Sequence, residues 1–546
     1  SVAESQGVSA LGGLDAVEAV SRLMARQSLS GEPSEFVPGY EKELTHMMGK
    51  RLRLLDSEEE ARVRASSPVV SMRMLLEAKK DGRRKARLVL QGFKEPPEWD
   101  LDSNVSPVAY PSTVRSLVFM GGKADDVLSS IDVSVAFLQS EEYGPGERPR
   151  YVSYKPFPGA REYVFQLRGP VYGQRSAPRA WYTTVTQWLV QEMGYKQGKN
   201  EPCLFIHPVT QHRVVLFCDD FLCRGSREVS EKFYTALAER FECKDPEWLS
   251  VDSPITFTGM DISEVAEAGG TVYRMDQTRD LRDFLTVKGL GNERPRENPI
   301  GDKSVLADGE VVCENLQSWC RSVIGGLHYF ARGTRYDISY PVSRVSQTMV
   351  SPTKGTVRAI EHLAGYLLST LDFALEGKAN PGVDTVINMC DASHRGDNMS
   401  SRSQTGVVIC LNGVPVMWRS NRQPVTSLSP AESEIYALSV GVRDARLMGW
   451  VLEELGVEVR WPIKIWCDSA GAISFKNDTC PVSKIRGAFD YREDWVEDLK
   501  ESEVVEVCKI KEARNMADVF TKAYPTYKFK ERKKLIKEAR NFMMAD

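Results

Sequence analysis

Val214–Val215–Leu216–Phe217–Cys218 runs without a break into Asp219–Asp220. A short, continuously apolar run of this kind reads as a buried strand. No turn residue comes before the two acids, so their carboxylates are expected at a sheet edge, where a cleft can form. Upstream, Val127–Leu128–Ser129–Ser130–Ile131–Asp132–Val133 reads as a second strand with an acid at its end. Carboxylates brought together from two strand ends are the oxygen ligands that Mg2+ prefers. Two ions held there lower the barrier to in-line phosphoryl displacement. An isolated Asp-Asp pair also marks helix caps and turns, and spacing alone leaves both readings open.

Outward from this pair, Ala86–Phe93 reads as a strand after a Lys79–Arg84 turn, and Ala180–Met193 has helical periodicity. Apolar spacing of i, i+3, i+4 over Leu316–Phe330 and Val357–Leu368 predicts a helical middle. A second mixed region follows. Thr385–Cys390 is a strand ending at Asp391, and Gly406–Leu411 and Val414–Trp418 flank an Asn412–Gly413 hairpin turn. Ser433–Glu454 is a long helix that Glu434 opens, and Ile463–Cys467 is a strand ending at Asp468. With Asp518, these acids form a second candidate centre for two Mg2+ ions, here for hydrolysis by water.

The 546 residues allow about three to five domains. A composition of 42% hydrophobic and 27% charged residues is that of a globular protein, and no apolar run is long enough to span a membrane. The first residues lack the features of a secretory signal. The 11 cysteines include no CxxC pair, which predicts free thiols in a reducing compartment and no zinc site. The net charge of −4 gives no global basic signal for nucleic acid. Basic residues cluster at Lys79–Arg87 and at Lys528–Lys537, each either a phosphate-contacting patch or a solvated face. Residues 1–65, with a short amphipathic segment at Leu14–Leu23, read as a linker or disordered upstream remnant.

Phe217–Asp220 resembles the Tyr-x-Asp-Asp motif of reverse transcriptases, and Asp132–Leu138 the first catalytic motif of the copia group. Tyr172–Gly173–Gln174–Arg175–Ser176–Ala177–Pro178–Arg179–Ala180–Trp181–Tyr182 and Lys85–Phe93 resemble two more segments of that group. Phe257–Ile262, Ser322–Ala331 and Thr334–Ile338 resemble its palm hairpin, thumb and connection. Cys390–Ser393, Ser427–Glu434, Trp466–Ser469 and Asn515–Lys522 resemble its ribonuclease H motifs. The chain is thus similar, over roughly residues 70–525, to the reverse transcriptase and ribonuclease H region of copia-type (Ty1/copia) LTR retrotransposon Pol polyproteins.

The resemblance implies an α+β or α/β multidomain fold, a right-hand polymerase of fingers, palm and thumb followed by an RNase H-like domain. The expected divisions are 66–265 for fingers and palm, 266–380 for thumb and connection, 381–525 for the RNase H-like domain and 526–546 for a basic tail. It implies that Asp132, Asp219 and Asp220 bind metal at one site, and Asp391, Glu434, Asp468 and Asp518 at the other. Lys85 and Arg87 would meet the incoming triphosphate. Phe137 would act as a steric gate against a 2′-OH, and Gly173 would let the backbone approach template or nucleotide. Glu434 is preferred to Glu432 because it precedes the step Ile435–Tyr436–Ala437.

The implied cofactor is Mg2+, with Mn2+ as a substitute. The implied partners are RNA template, DNA primer, RNA–DNA hybrid, deoxynucleoside triphosphates, and the element's integrase and capsid proteins, with no membrane. The implied location is a cytoplasmic virus-like particle or the nucleus. Three departures stand out: Phe217 and Cys218 replace the usual Tyr and Val, Tyr336 stands where Pro is usual, and Arg486–Arg492 lacks the family's Lys and His. A rival reading is a decayed or co-opted copy that binds nucleic acid without catalysis.

Overall fold

Asp56 accepts hydrogen bonds from the backbone N–H groups of Glu58 and Glu59, and Glu59 accepts one from the N–H of Asp56. This capping box starts the helix Ser57–Ser66. Just before it, the helix Val37–Lys50 buries Tyr40, Leu44, Met47 and Met48 along one face, in the same cluster as Leu88, Leu90 and Tyr154. Residues 34–65 are therefore folded, which corrects the expectation of a linker there. The apolar face packs on a sheet, and the cap satisfies the start of the second helix. The structure is a computed structural model and describes residues 34–78, 82, 84–99, 104–123, 125–156, 159–267, 270–301, 306, 308–379, 383–396, 400–473 and 490–539. The Leu14–Leu23 segment, most of the Lys79–Arg84 turn and residues 486–489 lie outside them.

The chain divides into two compact units. The first comprises the described residues up to Val108, Asp132–Tyr195 and Thr235–Lys244. Its five-stranded sheet has the order Leu52–Leu54, Tyr163–Leu167, Arg150–Tyr154, Val69–Ala78, Arg84–Leu90. The backbone N–H of Leu90 donates to Tyr172 O at 2.7 Å, bringing the Gly173 turn against the edge strand.

The second unit comprises Ala109–Ile131, Lys196–Tyr234 and the described residues from Asp245. A six-stranded sheet there has the order Glu247–Trp248, Asp126–Asp132, Asp220–Ser226, Arg213–Phe217, Leu204–Ile206, Lys196–Gln197. A four-stranded antiparallel sheet follows: Ile255–Phe257, Met260–Glu267, Gly270–Asp276, Leu375–Lys378. The expected palm hairpin is its first turn. The predicted helical middle contains the helices Thr278–Val287, Glu314–Gly333, Ser339–Ser346 and Lys354–Leu368. The last sheet has the order Val414–Arg422, Gln404–Leu411, Val386–Ser393, Ile463–Cys467, Val505–Lys509. Its first three strands form an antiparallel meander, and the other two join in parallel after the long helix Pro430–Leu455. Asn412 and Gly413, both at positive φ, make the hairpin turn that their sequence predicted.

Buried polar groups join these layers within the second unit. Arg115, on the helix Pro111–Phe119, donates to Val416 O, Arg332 O and Gly333 O at 2.6–2.7 Å, with its guanidinium 4.0 Å from the Trp418 ring centre. Burial pulls its pKa down, yet a guanidinium stays charged at neutral pH. Glu454 accepts from the backbone N–H groups of Lys199 and Asn200, each at 2.9 Å. Tyr336, in the place where Pro is usual, packs edge-on against Phe373 and Trp418.

Beside it, Arg335 makes two parallel 2.9 Å bonds to the fully buried Asp337, which also accepts from Tyr366 Oη at 2.5 Å. Lys533 Nζ lies 3.5 Å from the same carboxylate. Arg335 and Lys533 outweigh the desolvation of Asp337 and hold its pKa below the usual carboxylate value. A carboxyl whose folded pKa is depressed stabilises above its unfolded pKa, and that contribution is lost as pH falls toward the folded value. Asp337→Asn is expected to cost about 3–5 kcal/mol in denaturant unfolding at pH 7, because it strands a buried charge. The gap between wild type and variant should narrow as pH drops below about 4. A gap that does not change with pH would contradict this account.

Candidate functional site

Phe217 pairs with Asp220 across a hairpin, so Cys218 and Asp219 are its two-residue turn and Asp220 begins the return strand. The acids thus sit in and just after a tight turn, where the sequence predicted a strand end. Cys218 has φ +58°, a left-handed conformation that costs a non-glycine residue energy and recurs at functional sites. Burial, with Asp219 next to it, pushes the Cys218 thiol up to about 11. Phe217, without the hydroxyl of a Tyr, meets the Phe257 ring edge-on at 6.4 Å. Asp132 is the last residue of its strand, and the neighbouring strand in the sheet order is the one that Asp220 begins. The Asp132 carboxylate pairs with Lys244 Nζ at 2.9 Å.

In the first unit, Arg87 lies 5.4 Å from the Tyr172 ring centre, and the half-buried Phe137 packs against the same ring at 5.8 Å. Two of the expected nucleotide-contacting side chains therefore meet on one tyrosine. Lys85 is on the same strand as Arg87, opposite Glu77. Gly173 has φ +81°, and a Cβ there would stand 2.3 Å from Leu90 O. The close approach that this glycine permits within the chain is to the edge strand Arg84–Leu90.

The second acidic group gathers on the last sheet. Asp391 lies inside its strand, not at its end, and Asp468 follows the parallel strand beside it. Asp518 lies in the short helical turn Met516–Phe520, whose N-cap Asn515 donates to Cys390 O. Carboxylate oxygens of Asp391, Asp468 and Asp518 lie within 4.8 Å of one another. Glu434, in the second turn of the long helix, forms a similar group with Asp468 and Cys467. Glu432 instead accepts from the Leu428 backbone at the helix start, as expected of a cap-side acid.

Desolvation and the neighbouring acids push Asp391, Glu434 and Asp468 upward. Asp391 Oδ1 and Glu434 Oε2 are buried without a hydrogen-bond partner among the described residues. Unsatisfied carboxylate oxygens converging in a buried site fit a hard divalent cation.

The cations around Asp518 escaped the sequence reading. Lys522 Nζ lies 2.8 Å from Asp518 Oδ1 and 3.5 Å from Asp391 Oδ2. Arg532 approaches Asp518 Oδ2 at 2.9 Å, but off the angle of a hydrogen bond, so that oxygen stays unsatisfied. Thr521 Oγ1 donates to Asp391. Arg532 belongs to the helix Thr526–Lys537, which buries Phe529, Arg532 and Ile536. The segment read as a basic tail is thus a packed helix as far as Lys537. Its charges at 532 and 533 face inward to carboxylates. The i, i+4 spacing of Asp518 and Lys522 was the available signal.

Crowded carboxylates make the metal-free centre less stable than a neutralised one. Asp391→Asn is expected to raise the thermal midpoint in chelator by several degrees, on the order of 1 kcal/mol. Added Mg2+ should raise the wild-type midpoint and leave that of the variant nearly still. A lower midpoint in the variant would overturn this reading.

Residues 63–302 match the family model for reverse transcriptase (RNA-dependent DNA polymerase). The Pol polyprotein of transposon TNT 1-94 from Nicotiana tabacum is 26% identical over 84% of this chain and 35% of its own length. That of transposon RE2 from Arabidopsis thaliana is 27% identical over 81% of this chain and 30% of its own. The transposon Ty1-LR2 Gag-Pol polyprotein from Saccharomyces cerevisiae is 22% identical over 91% and 29% respectively. The chain spans about a third of the length of these relatives.

Proposed function

Because the chain belongs with the copia-type retrotransposon Pol proteins, we propose that it is an RNA-directed DNA polymerase that also cuts the RNA of the hybrid it makes. The observation that carries the polymerase reading is the family match over residues 63–302, which include Asp132, Asp219 and Asp220. Asp219, in a tight hairpin turn with Asp220 beside it, is suited to hold a metal at a surface open to a primer end. The cluster of Arg87, Tyr172 and Phe137 is suited to a triphosphate and a sugar. Arg87 offers a planar, permanently charged fork for phosphate. The Phe137 ring offers the bulk that would exclude a 2′-OH.

The nuclease reading is supported by the last sheet, in which an antiparallel meander is extended by two parallel strands. Asp391, Glu434, Asp468 and Asp518 gather on it. Divalent ions bound there would stabilise the attacking and leaving oxygens of phosphodiester hydrolysis. Thr521 and Lys522 hold Asp391 in place, and Lys522 and Arg532 hold Asp518. The natural cation is Mg2+, since every ligand at Asp391, Asp468 and Asp518 is a hard oxygen. Template, primer and hybrid would be gripped through their phosphates, without sequence preference. Integrase and capsid proteins of the same element are the expected companions, in a cytoplasmic virus-like particle.

The test is a pair of single variants measured in two assays, primer extension on RNA and cleavage of an RNA–DNA hybrid. Asp219→Asn should abolish extension and retain cleavage. Asp468→Asn should abolish cleavage and retain extension. Hybrid binding with neither activity in the wild type would sink this proposal and favour a decayed copy.

A further inference from the structure

Two cysteine–aspartate dipeptides lie side by side under the acidic centre. Cys390–Asp391 belongs to the strand Val386–Ser393, and Cys467 closes the parallel strand Ile463–Cys467, with Asp468 following. Asn388 stands opposite Ile465 and Met389 opposite Trp466. The next rung sets Cys390 beside Cys467. Both cysteines are fully buried, and the strand register makes them neighbours. Cys467 Sγ, a Glu434 carboxylate oxygen and an Asp468 carboxylate oxygen all lie within 4.8 Å of one another. Among the described residues Glu434 Oε2 has no hydrogen-bond partner, and neither does Oδ1 of Asp391, a residue only 1% exposed. The cysteine spacing predicted no zinc site because it lacks a CxxC pair; here strand pairing brings the two sulfurs together.

Sulfur changes which ion such a pocket prefers. Mg2+ gains little from a thiolate, whereas zinc and cadmium favour mixed sulfur and oxygen ligands in a four-coordinate shell. Ligand atoms around a tetrahedral zinc stand about 3.4–3.8 Å apart. The Cys467, Glu434 and Asp468 donors, within 4.8 Å of one another, stand near that spacing. Each thiol that binds gives its proton to solvent. Among the described residues two neighbouring cations serve other oxygens: Lys522 faces Asp391 and Asp518, and Lys509 donates to the Asp468 backbone carbonyl.

We propose that Cys467, Glu434 and Asp468, with Cys390 as a second sulfur, form a binding site for a thiophilic divalent cation such as zinc. The site shares Glu434 and Asp468 with the proposed Mg2+ centre, so the two ions compete. Its consequence, hybrid cleavage that zinc inhibits, rests on the nuclease reading above; the binding itself does not.

The experiment strips the full chain of metal and titrates it with Cd2+, following the ultraviolet absorbance of cadmium bound to thiolate. Wild type should show a saturable band that Cys467→Ser reduces, over any background from the other thiols. Glu434→Gln keeps both sulfurs and should weaken Cd2+ binding about 10- to 100-fold, the usual range for a disturbed metal shell. Circular dichroism identifies a misfolded variant, and the remaining variant then decides. Folded Cys467→Ser or Glu434→Gln protein that titrates like wild type would overturn the proposal.

In a second arm, hybrid cleavage in Mg2+ is measured with increasing Zn2+. Half-inhibition should need about 10- to 100-fold more Zn2+ in Cys467→Ser than in wild type. Cleavage with equal zinc sensitivity in both proteins would defeat the inference and leave the nuclease reading standing. Cadmium bound at Cys467 in a chain that cuts no hybrid would do the reverse.

Discussion

A guanidinium with no carboxylate partner among the described residues sits at the joint of the second unit. Arg115 rises from a helix beside the six-stranded sheet, and its acceptors are carbonyls of the last turn of the helix Glu314–Gly333 and of the strand Val414–Arg422. The C-terminal end of a helix is the negative end of its dipole, so the cation and the two helix-end carbonyls satisfy each other. Three charge-assisted bonds at about 1.5–3 kcal/mol each, with about 2 kcal/mol from the Trp418 ring, offset a desolvation penalty of several kcal/mol. Removing any one partner leaves a buried charge or a buried carbonyl alone. The three layers hold together because none can leave without exposing that defect. Glu454 and its backbone donors at Lys199 and Asn200 repeat the pattern with the opposite charge.

The acidic centre on the last sheet reverses this logic. There the like charges are gathered first and the chain supplies cations through Lys522 and Arg532; a divalent ion from solution would supply the rest. Asp391 and Asp518 are almost wholly buried, so their repulsion is poorly screened by water. A folded domain that holds such a cluster gives up stability for the ability to bind metal. The buried pair of Arg335 and Asp337, with Lys533 beside it, shows the alternative, in which a carboxylate is fully matched by cations of the chain and is closed to any ion.

Much of this was legible in the sequence because strands that run straight into acids carry a strong signal. The strand before Cys218, the hairpin at Asn412–Gly413, the long helix carrying Glu434 and the strand before Asp468 all stand where the pattern put them. Asp391 sits two residues inside its strand because pairing with Gln404–Leu411 continues past it. The helices of residues 34–66 were legible but unread: Tyr40, Leu44, Met47 and Met48 have helical spacing, and Asp56 with Glu59 is a capping box. Other features were out of reach. Gly173 needs its conformation because of Leu90, and nothing local to Gly173 names that partner. Lys533 looks like one more solvated charge until the fold carries it to Asp337. Cys390 and Cys467 become neighbours only through strand register.

The helix Thr526–Lys537 gives the acidic centre a timing as well as a geometry. The chain emerges from the ribosome from its N-terminal end, and domains form as their residues appear. Asp391, Glu434 and Asp468 are all made before Asp518, and Asp518 is made before the Arg532 that steadies it. The residues that would copy RNA are made far earlier. During synthesis the acidic centre is therefore completed after the residues proposed to copy RNA, so any cutting there would wait until Arg532 has been made.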